Sequence, residues 1–138
     1  MYIFIYKCLR KIKSIYYLLD EDFKKKKIIF GTNCKLYPES IIENLQERGK
    51  LMIGKGTHIR GELFVFPYGN GISIGDNSYV GKNTVIRSGN RVSIGNNVLI
   101  AHNVTILDTD SHEIDAFERA ASYALLVTKG HPQEAGGG

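Results

Sequence analysis

The residues best equipped for chemistry in this 138-residue chain lie between 108 and 118. Asp108, Asp110, His112, Glu113, Asp115 and Glu118 crowd into that stretch, and no Lys or Arg occurs between Arg91 and Arg119. A carboxylate beside an imidazole fixes its tautomer and favours its charged form. A general base acting on a hydroxyl needs both. His112 is the candidate base and Asp110 the candidate carboxylate partner. The competing reading is a solvated loop at the end of a fold. The other histidines offer no metal site. Gaps of 44 (His58 to His102), 10 (His102 to His112) and 19 (His112 to His131) contain no close pair, and zinc wants three ligands placed together. No metal is expected, and His102 reads as a corner residue.

A six-residue step marks the elements that must position this loop. Aliphatic or aromatic residues recur at Phe30, Leu36 and Ile42, at Ile53, Ile59 and Val65, at Ile74, Val80 and Ile86, and at Ile94, Ile100 and Ile106. Gly or Ala follows at Gly31, Gly54, Gly75, Gly81, Gly95 and Ala101. A small or β-branched residue stands four places on, at Cys34, Thr57, Ser78, Thr84, Val98 and Val104. Neither a helical nor a strict alternating period explains this; stacked short strands of a parallel β-helix do. Continuing the columns by six puts His112 after Ile106 and Asp110 after Val104. Both core columns would turn polar at one place, and a sequence that breaks its own rule there points to function.

Four coils result, starting near 30, 53, 74 and 94. Extra residues gather at one corner, in 43–52, 67–73 and 89–93. At the other corners Asn33, Asn77, Asn83, Asn97 and Asn103 stand three after an inward aliphatic, with Gly56 and Gly89 in the same column. Asn and Gly tolerate the left-handed backbone that a sharp turn needs. One coil cannot bury its aliphatics, so several must stack.

Composition fits a single globular domain, with 43% hydrophobic and 23% charged residues. The net charge of +4 is local to one end. Residues 1–27 carry eight Lys/Arg against three Asp/Glu, which disfavours nucleic acid as a partner because no basic stripe enters the body. Residues 2–19 predict an amphipathic helix, with Phe4, Ile5, Cys8, Leu9, Ile12, Ile15, Tyr16 and Leu19 on one side and Lys7, Arg10 and Lys13 on the other, near Tyr2, Tyr6 and Tyr17. That apolar face either packs on the end of the solenoid or meets a membrane surface. Cys8 and Cys34 make no disulfide framework. Cys34 fills an inward slot, and a reducing compartment fits. The apolar run Met1–Tyr6 is too short to span a bilayer and lacks a signal-peptide cleavage site. The expected location is the cytoplasm, with peripheral contact at the inner membrane face.

The stretch Ile94-Gly-Asn-Asn-Val-Leu-Ile-Ala-His-Asn-Val-Thr-Ile-Leu-Asp-Thr-Asp-Ser-His112 resembles the hexapeptide-repeat acyltransferases, over about residues 30–119. The nearest likeness is to sugar O-acetyltransferases such as the maltose and galactoside enzymes. The resemblance implies an all-β fold, a left-handed parallel β-helix, here preceded by the amphipathic α-helix. It implies transfer of an acetyl group from acetyl-CoA to a hydroxyl of a sugar or polysaccharide precursor. It places the base at His112, sets Asn83 where relatives carry an active-site Asn, and implies a homotrimer with sites between solenoids. The γ-class carbonic anhydrases share the fold, but their three zinc histidines include a pair five apart, which this chain lacks.

The domain reading is therefore 1–27 helix and basic linker, 28–119 β-helix, and 120–138 a tail. Relatives continue with further coils that line the coenzyme A groove. Here residues 121–128 read as one strand and 130–138 as a tail of the kind a shifted reading frame leaves, so coenzyme A-binding residues are not assigned. The rival from another class is a truncated, non-catalytic β-helix that only assembles or binds.

Overall fold

The computed structural model describes residues 2–110 and 112–130. The chain opens with a helix, α1 (Tyr2–Lys26). Twelve short strands then wind through four coils: β1 (Ile29–Phe30), β2 (Lys35–Leu36), β3 (Ile41–Asn44), β4 (Leu51–Ile53), β5 (His58–Ile59), β6 (Glu62–Val65), β7 (Gly71–Ile74), β8 (Tyr79–Val80), β9 (Val85–Ser88), β10 (Arg91–Ile94), β11 (Leu99–Ile100) and β12 (Thr105–Leu107). A second helix, α2 (Ala116–Lys129), follows. The strands form three parallel sheets, ordered β1-β4-β7-β10, β2-β5-β8-β11 and β3-β6-β9-β12. This is a three-sided parallel β-solenoid.

Register explains the columns. Phe30, Ile53, Ile74 and Ile94 stack in the first sheet. Leu36, Ile59, Val80 and Ile100 stack in the second. In the third, Ile42 stacks on Leu63, Ile86 and Ile106. The six-residue step assigned Val65 to that third column; the structure puts Leu63 there and pairs Val65 with Asn44 and Ser88. Both Leu63 and Val65 are buried, since alternate residues of a strand share a face. The β5–β6 corner is two residues shorter than its neighbours. Gly61 occupies it, where a Cβ would overlap the carbonyl oxygen of Thr84 in the next coil.

The small column is a ladder of hydroxyls. Thr57 Oγ1 donates to the Gly75 carbonyl (2.7 Å) and accepts from Ser78 N (3.0 Å). Ser78 Oγ donates to Gly95 O and accepts from Val98 N. Thr84 links Ala101 O and Val104 N in the same way, and Cys34 Sγ donates to Gly54 O. Each hydroxyl satisfies two backbone groups of the coil above, so the polar corners enter the core without orphaned atoms. The five asparagines that were expected to be left-handed are, with φ between 52° and 60°. Gly56 shares that conformation at φ 67°, whereas Gly89 is not among the positive-φ residues.

Both ends depart from expectation. α1 runs on to Lys26 because Asp20–Lys24 and Glu21–Lys25 pair at 2.6 Å across one turn, with the acid N-terminal to the base as the helix dipole favours. Residues 116–129 form a helix, so the strand expected over 121–128 is wrong. Asp115 caps that helix by accepting from Phe117 N and Glu118 N. Gly130, at φ 83°, closes it.

Candidate functional site

The third corner of the solenoid decides where the candidate residues stand. Between the third and first sheets the step is not six. It is 11 from Ile42 to Ile53 and from Leu63 to Ile74, and 8 from Ile86 to Ile94. The extrapolation from Ile106 to His112 crosses this wider corner. Counting on by the 20 residues that separate the third and fourth coils would set Asp108 after Ser88, Asp110 after Asn90, His112 after Val92 and Ile114 after Ile94; strand pairing itself ends at Leu107.

Asp108 closes the corner. Its Oδ2 accepts from Ser88 Oγ at 3.0 Å and its Oδ1 from Gly89 N at 2.6 Å, with Asn90 N beside them. This carboxylate is occupied by turn chemistry. Asp110 lies beyond the last strand and its side chain is exposed. Val92 stacks on the buried Ile72 and Leu51, and counting on by 20 from Val92 reaches His112. Among the described residues no fifth strand forms around His112, and its side chain is exposed.

Glu113 is the carboxylate whose charge interacts with His112. Ser122 Oγ donates to Glu113 Oε1 at 2.6 Å. That bond, with one from Glu113's own amide, holds the carboxyl below the ordinary glutamate value, and the nearby His112 and Arg119 act in the same direction. Arg119 also donates to the carbonyls of Glu113 and Ile114 at 2.8 and 3.0 Å. The first turns of α2 thus brace the His112 loop. Among the described residues no hydrogen bond joins His112 to Asp110 or to Asn83.

Asn83 sits at a different corner, between β8 and β9. Its Nδ2 donates to Asn103 Oδ1 at 3.3 Å, and its backbone is left-handed at φ 60°. One amide hydrogen therefore serves the ladder and the other is available to solvent. His58 lies against Tyr37, with ring centroids 5.9 Å apart. His102 is exposed at the corner beside Asn103. Among the described residues no three His, Cys, Asp or Glu side chains gather as metal ligands would. His131 and the tail 131–138 lie outside the described residues.

A feature that six-residue spacing did not reveal is a hollow of about 210 Å³ on the first sheet, between Lys50, Met52, Asn70, Ser73 and Arg91. The inserted corner carries Lys50, and Gly71 lies directly against the Lys50 carbonyl. Ser73 and Ser93 add hydroxyls 3.2 Å apart along the same face. The signal in the sequence was the insertion itself, which sets a loop beside three stacked strands.

No family profile matches this chain, and neither a curated protein nor a solved structure matches it.

Proposed function

We propose that this chain is an O-acetyltransferase domain that moves an acetyl group from acetyl-CoA to a hydroxyl of a sugar or polysaccharide precursor. The observation that supports it is one exposed imidazole, His112, just beyond the last coil, beside Glu113, whose carboxyl is held below the ordinary glutamate value. In this reading His112 takes the acceptor proton as the hydroxyl oxygen attacks the thioester carbonyl. The neighbouring carboxylates, Glu113 and Asp110, stabilise the imidazolium. The tetrahedral oxyanion needs a donor, and the free amide hydrogen of Asn83 is suited to that. Collapse expels the coenzyme A thiolate, which takes the proton back from His112.

Asn83 and His112 belong to different corners of one chain. A shared site then requires two copies, one giving His112 and its neighbour giving Asn83, which a homotrimer of side-by-side solenoids provides. A second reading, assembly without catalysis, draws on the exposed apolar surface at the C-terminal end, where Leu99 is 77% and Phe117 87% exposed.

The test is acetyl-CoA-dependent thiol release with a panel of sugar acceptors, with mass measured by light scattering. The proposal predicts acceptor-dependent release by a trimer. A trimer with no release supports assembly alone, and a monomer at micromolar concentration contradicts the shared site.

A further inference from the structure

The apolar stripe of α1 faces away from the protein. Ile5, Leu9, Ile12, Tyr16, Leu19 and Phe23 recur three or four apart along one line, and they are 47–65% exposed. The solenoid covers another side of the helix. Tyr17, Asp20, Glu21 and Lys24 meet Leu36, Tyr37 and Pro38 across a small crevice, about a third of a turn round from the stripe. Lys24 is buried there. Arg48 Nε donates to Ile28 O at 2.7 Å and Asn44 Nδ2 to Lys27 O at 2.9 Å, which fixes the junction. Of the two readings of the apolar face, packing on the solenoid end does not hold: the polar face docks, and the body does not block the apolar one.

Charge identifies what covers it. From Ile5 to Leu19 the helix carries Lys7, Arg10, Lys11 and Lys13 and no carboxylate. A second copy laid parallel on the stripe would set these cations beside their own kind, within a Debye length. An anionic headgroup layer would neutralise them. Arg10 lies over the Tyr6 ring and Lys13 over the Tyr17 ring, 6.0 and 5.7 Å from their centroids. Such side chains hold an apolar body at the boundary and a charge in the headgroups. No described helix is long and apolar enough to cross a membrane. We propose that α1 lies flat in an anionic bilayer surface, its stripe in the acyl boundary, with the solenoid held on the aqueous side. This does not depend on acyl transfer.

The experiment is co-sedimentation of the full chain with vesicles of phosphatidylcholine containing about 30% phosphatidylserine, in about 0.1 M salt. Binding is expected, and it should fall more than tenfold in about 0.5 M salt or on phosphatidylcholine alone. Replacing Lys7, Arg10, Lys11 and Lys13 by Gln should weaken it about fivefold per cation. Leu9→Gln with Ile12→Gln and Leu19→Gln should abolish it while circular dichroism keeps the solenoid signal. Absence of wild-type binding overturns the proposal. So does binding that survives both sets of substitutions. It is equally overturned if, without lipid, the triple variant forms a smaller assembly than the wild type, because a second copy then covers the stripe.

Discussion

Ile74 and Ile94 occupy one column, one coil apart, with the same backbone register. Ile74 is 3% exposed, and Ile94 is only partly buried, as are Ile100 and Ile106 in the same last coil. The sequence columns are alike in both coils; what differs is the neighbour. The third coil has strands on both sides, and the fourth has none beyond it. Burial in a solenoid is a property of stacking and not only of the residue, which is why the inward aliphatics Ile94, Ile100 and Ile106 are only partly buried where their counterparts Ile74, Val80 and Ile86 are buried. The candidate base His112 lies beyond that open end, whereas Asn83 belongs to the third coil and is bonded to Asn103 of the fourth.

Truncation should be costly inside and cheap at the edge. Ile86→Ala, at a fully buried site, should destabilise by about 2–5 kcal/mol. Ile106→Ala, in the same column, should cost about half of that or less, because its cavity opens to solvent. Urea unfolding of the two variants measures the difference; equal losses would mean that the last coil is covered in solution.

The hydroxyl ladder gives the next effect. Thr84→Val keeps the shape but leaves Ala101 O and Val104 N without their bonds, so it should cost about 1–3 kcal/mol in thermal unfolding. Thr105→Val on the exposed side of β12 should be close to neutral. Asn83→Ala removes the side-chain amide that lets a non-glycine residue tolerate left-handed backbone and should cost about 1–2 kcal/mol, whereas Asn83→Gly should cost little. If Ala and Gly behave alike, the side-chain bond to Asn103 matters more than the backbone.

A smaller effect is pH-dependent. A bond from Glu39's own amide, then Arg60, holds the Glu39 carboxyl below the ordinary glutamate value, with Arg60 Nε donating to Oε1 at 2.6 Å. A folded-state value below the unfolded one gives stability that is complete above the unfolded value and is lost as pH falls through the folded one. Glu39→Gln should therefore make the acid side of a melting-temperature profile flatter. An unchanged acid limb would show that the surface pair contributes nothing.

Much of the body could be read directly. Period, coil number and every left-handed asparagine followed from spacing and turn chemistry. Leu63 against Val65 could not be decided, because both point inward and only the shortened corner at Gly61 chooses between them. The third corner misled in the same way. Its step varies with the inserted loop, so counting six from Ile106 gave a column that the fold does not build. Asp110 and His112 thereby lose their places in core columns and are exposed beyond the last strand, while Asp108 closes the turn at Ser88 and Gly89. The strand expected at 121–128 rested on apolar content. The outvoted signals were local: Asp115 as a cap, Ala-rich turns and Gly130 as a stop. Which face of α1 docks was not in its pattern at all, since the anchor at Lys24 and Ile28 sets it.

The most direct measurement is acetyl transfer by wild type, His112→Ala and Asn83→Ala, alone and mixed after co-refolding. The account predicts a loss of about 10²–10⁴-fold for His112→Ala with an unchanged melting temperature. It predicts a smaller loss for Asn83→Ala, and partial recovery in the mixture, where some interfaces regain both residues. Wild-type turnover by His112→Ala would contradict it.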